Sequence, residues 1–63
     1  MNADTKVLEA IRTAMRFQYE VNAINFVNRA TMRFCIVLGD DMRYWVVTNA
    51  DGQRLERAGY EIL

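Results

Sequence analysis

The chain has no histidine and no proline, one cysteine and three glycines, and its eight basic residues are matched by eight acidic ones over 63 positions. Each scarcity excludes something. A lone Cys35 without any His leaves no ligand set for zinc and no internal disulfide. It also leaves no base to activate the thiol, so Cys35 reads as a small buried apolar side chain, reduced in a cytoplasmic setting. Gly39, Gly52 and Gly59 stand apart from one another, and no phosphate-cradling loop can be drawn from them. The even charge balance removes the drive for bulk phosphate binding, which depends on surplus Lys and Arg. No apolar run approaches the roughly 20 residues of a bilayer span, and "MNADTKVLEAIR" lacks the apolar core of a signal peptide. Asp40 and Asp41 read as a solvated turn, and Glu20, Asp51 and Glu61 have no spacing that singles out an acid–base pair. These absences point away from an enzyme, a cofactor, a metal, a membrane and a small-molecule substrate.

What is present is hydrophobic material: 52% of the residues, enough to argue against disorder. Residues 1–63 form one small domain, near the lower size limit for a single core without staples. It must be held by packing, by self-association, or by both. The absence of net charge leaves little repulsion between copies.

Val7, Leu8, Ile11, Ala14 and Met15 fall at helical spacing behind a cap at Asp4 or Thr5, predicting a helix to about Met15, with residues 1–4 as a loose tip. "FQYEV" then alternates, setting Phe17, Tyr19 and Val21 against Gln18 and Glu20. With Asn22-Ala23 as a turn, this predicts a pair of strands over 17–28. The rival reading is a helix from about Glu20 to Ala30, with Asn22, Asn25, Asn28 and Arg29 on one face. Three Asn and two Val are weak helix formers, so strands are preferred. "RFCIVLGDDMRYWVV" predicts a hairpin about a Gly39-Asp40-Asp41 loop, pairing Ile36 with Tyr44 and Cys35 with Trp45. Thr48-x-x-Asp51 resembles a capping box, with Asn49 an equally good cap, ahead of a last helix that Gly59 ends, and Tyr60 to Ile62 forms a tail or short edge strand. The fold predicted is α+β: an N-terminal helix, an antiparallel four-stranded β-meander and a C-terminal helix. The alternative is a winged-helix-like α-α-β-β-α order.

Both faces of the hairpin are apolar. The even-numbered face (Phe34, Ile36, Tyr44, Val46), joined by Tyr19, Ile24 and Phe26, is the better candidate for the core. Trp45, Val37, Val47 and Cys35, with Arg43 and Arg33 alongside, are then left open as a partner-binding surface. The partner is a protein, either a host component or a second copy of the chain. Nucleic acid is the weaker alternative, resting on Arg29, Arg33, Arg43, Tyr44 and Trp45 and opposed by the charge balance.

The stretch "GDDMRYWVVTNADGQRLERAGYEIL" combines a Tyr-Trp-Val-Val-Thr strand, an Ala-Asp helix with Arg-Leu, and a terminal Ala-Gly-Tyr-Glu. It resembles small uncharacterised bacterial proteins encoded by prophages and mobile elements. The resemblance implies a setting in which proteins of this size, such as anti-CRISPR proteins and small inhibitors of host RNA polymerase, bind and block a host component.

Overall fold

A computed structural model describes residues 2–63, with side chains described from Thr5 onward. The chain runs α1 (Asn2–Thr13), β1 (Met15–Phe17), α2 (Glu20–Arg29), β2 (Phe34–Leu38), β3 (Tyr44–Thr48), α3 (Asn49–Arg57) and β4 (Glu61–Ile62). This is an α+β fold with a four-stranded antiparallel sheet in the order β1-β3-β2-β4. The β2–β3 hairpin is its centre, and the two edges come from segments distant in sequence.

Residues 2–4 are helical rather than a loose tip, so the start of α1 precedes both Asp4 and Thr5; Met1 lies outside the described residues. The helix stops at Thr13 because Arg16 doubles back, its guanidinium donating to the carbonyls of Ile11 at 2.7 Å and Ala14 at 3.3 Å. The Ile11 carbonyl, which also accepts from the Ala14 N–H at 3.4 Å, is one of the last four of the helix, which find no donor four residues on within it.

Residues 20–29 are helical, which overturns the strand pair expected over 17–28 in favour of the rival helix. The alternation of Phe17, Tyr19 and Val21 spans an element boundary. Phe17 ends a three-residue strand, and Tyr19 is the extended N-cap of α2, with φ −116° and ψ 138°. Propensity is overridden by packing: Ala23 is fully buried, and Phe26 sits between Phe17 and Phe34 with ring centroids 5.6 and 5.8 Å away.

The hairpin forms, with its loop one residue further along than the spacing suggested. The Gly39 N–H donates to the Arg43 carbonyl at 2.8 Å, leaving Asp40-Asp41-Met42 as the loop, with Met42 left-handed at φ 65°. Ile36 therefore faces Val46, Val37 faces Trp45 and Cys35 faces Val47. The ladder slips by two residues, so every side chain keeps the face expected of it.

Of the two caps the sequence offers, Thr48 and Asn49, the structure uses Thr48, its hydroxyl accepting from the Asp51 N–H at 3.3 Å. At the other end Gly59 (φ 107°) donates to Glu56 and Tyr60 donates to Leu55, the paired bonds of a Schellman stop. Tyr60 packs back on the core, and β4 follows beside β2.

The core lies on the odd-numbered face. Val37, Trp45 and Val47 are buried with Leu55 of α3 and Ala10 of α1, and Val7, Ile11, Ala14, Cys35, Tyr60 and Ile62 pack around them. The two terminal helices, which pack on each other, cover this face, and α2 alone covers the even one. The even face is covered as well, with Val46 of β3 and Ala23 of α2 buried, but the main core cluster lies on the face expected to be open. Small residues decide it, because Ala10, Gly39 and Gly52 let helix backbone, loop and bulky side chains approach closely. A β-carbon on Gly39 would overlap the Trp45 indole, and one on Gly52 would overlap Cys35 Sγ.

Candidate interaction surface

Of the six residues read as partner-binding, Trp45, Val37 and Val47 are core. Trp45 is only 2% exposed and is held on every side. Its indole N–H donates to Asp41 Oδ1 at 3.0 Å, the Arg16 guanidinium lies over its ring at 4.9 Å, and Tyr60 packs against it at 5.4 Å. Asp41 Oδ1 also accepts from the Arg43 N–H at 3.0 Å, while Oδ2 faces Arg16 Nε at 3.6 Å. Asp40 accepts from the Tyr60 hydroxyl at 3.2 Å. The two loop aspartates thus fasten the hairpin tip to β1 and to the C-terminal tail. Burial pushes the Tyr60 hydroxyl pKa upward, and the neighbouring Asp40 carboxylate adds to the rise.

Cys35 is half-buried behind Gly52, its thiol directed at the Thr48 carbonyl at 3.7 Å. Burial raises its pKa, and the carboxylates of Asp51 and Glu56 raise it further, so the thiol stays protonated near neutrality. Arg33 and Arg43 are exposed but are not neighbours. They precede β2 and β3, whose antiparallel pairing puts those starts at opposite ends of the ladder. The basic and aromatic cluster envisaged around Arg29, Arg33, Arg43, Tyr44 and Trp45 is therefore not assembled.

The surface with an unsatisfied apolar face is instead α2 and its flanks. Ala23 and Phe26 are spent on the sheet, yet Val21 is 59% exposed and Ile24 40%. With Asn28 they follow an i, i+3, i+7 spacing along one side of the helix. Tyr19 and Met32, each 60% exposed, stand at its two ends. The same stretch is nearly free of charge: between Phe17 and Met32 the only ionisable side chains, Tyr19 apart, are Glu20 and Arg29. Depletion of charge together with exposed Tyr, Met and aliphatic side chains is the compositional mark of an interface core. On α1 the outward side is mostly charged, although Leu8 is 64% exposed, and Lys6, Glu9 and Arg12 face Asp51 and Arg54 of α3 across a cleft of about 240 Å³.

The sequence reading placed Tyr19 and Ile24 in the core, although the structure exposes both, and it missed Val21 and Met32 as surface residues. The usable signal was the charge gap itself, which persists whichever secondary structure residues 17–32 adopt. Among the described residues, no three His, Cys, Asp or Glu side chains gather as a metal would require, and no helix is long and apolar enough to cross a membrane. The chain matches no protein-family model, and neither curated proteins nor solved structures show significant similarity to it.

Proposed function

We propose that this is a small non-enzymatic protein-binding module that works by presenting α2 to another protein surface. The observation that carries the reading is the partly apolar outer side of α2, uncharged from Val21 to Asn28 and flanked by the exposed Tyr19 and Met32, on the sheet face that α2 covers. A cytoplasmic host protein, as in the mobile-element setting implied by the C-terminal resemblance, and a second copy of the chain are both partners of the right kind. The test is affinity capture with the wild-type chain and with Val21→Asp as baits. Val21 is exposed, so the substitution leaves the fold intact and should abolish capture. Equal capture by both baits would refute the assignment of the surface.

A second reading has one observation in its favour. The order α1-β1-α2-hairpin, with β1 paired to β3, is winged-helix-like, and α2 exposes Asn22, Asn25, Asn28 and Arg29 as a groove-reading helix would. Against it stand the charge balance and the carboxylates of Asp40 and Asp41 at the hairpin tip, where a wing would meet phosphate. Affinity for random duplex DNA should be weaker than about 1 µM at physiological salt. Tighter and steeply salt-dependent binding would replace the first reading with this one.

A further inference from the structure

We draw no further inference here: the strongest candidate, the outer side of α2 with Val21 and Ile24 exposed along it and Tyr19 and Met32 at its ends, belongs to the surface already described, and nothing in the structure shows what covers it.

Discussion

Replacing Gly52 by alanine should change sign with the residue at position 35. Gly52 lies inside α3, where alanine is favoured over glycine by about 1 kcal/mol because it has less backbone freedom to lose. In the wild-type chain the new methyl group would overlap Cys35 Sγ. Relieving that overlap in a packed region costs about 1–3 kcal/mol, so Gly52→Ala alone should be destabilising by up to about 2 kcal/mol. Cys35→Ala removes the sulfur. The methyl group added at position 52 would then lie at 3.8 Å from the Cβ of residue 35 and 3.7 Å from Val47 Cγ2, ordinary contact distances. In that background the helix preference should survive intact, and Gly52→Ala should stabilise by about 1 kcal/mol. The coupling between the two positions should therefore be about 2 kcal/mol, or roughly 8–16 °C of melting temperature in a domain of this size. Urea titration of the four proteins, followed by circular dichroism, measures it. A coupling below about 0.5 kcal/mol, or the same sign in both backgrounds, would refute the steric account.

Trp45→Ala should cost about 3–5 kcal/mol out of a total stability of about 3–9 kcal/mol. It should leave a largely unfolded chain by circular dichroism, and a fully folded one would contradict the core placement. Asp41→Ala strands the Trp45 indole N–H and the Arg43 amide and should cost about 1–3 kcal/mol by urea titration, whereas Asp41→Asn retains an acceptor and should lose less than half of that. Cys35 and Tyr60 both have folded-state pKa values raised by burial and then by nearby carboxylates, from ordinary values of 9.0 and 10.0. The stability that they contribute is complete below those values and is lost as pH rises through the higher folded ones. Urea midpoints should therefore fall at alkaline pH, and Cys35→Ala should remove the earlier part of the fall; a midpoint flat through that range would contradict the buried thiol.

The elements of the C-terminal half were legible in outline because local chemistry largely decides them. Thr48 and Gly59 bound α3 by hydrogen bonds made within a few residues, and the β2–β3 hairpin follows from two runs of strand formers around a polar loop. Residues 17–30 were not legible, because what makes α2 a helix is Phe26 lodged between Phe17 and Phe34, contacts that exist only once the sheet has formed. The choice of core face was hidden for a related reason. Both sides of the hairpin are apolar, so local pattern cannot rank them. The ranking comes from the close approach that Gly52 and Ala10 allow to the helices on one side. The hypothesis that Trp45 marks an interface failed on that point, while the thought that one face stays incompletely covered moved to the other side of the sheet.

The strand order has a kinetic meaning. β2 and β3 close across a three-residue loop, so they can meet at little entropic cost. β1 must wait for the whole of α2 and the hairpin before Met15 finds Val46, and β4 finds Val37 only after α3 has turned the chain back. Assembly on this topology begins in the middle and ends at the edges. The edge strands β1 and β4 would be the last parts to dock and the first to open, while α2 already has Phe34 of β2 to pack on.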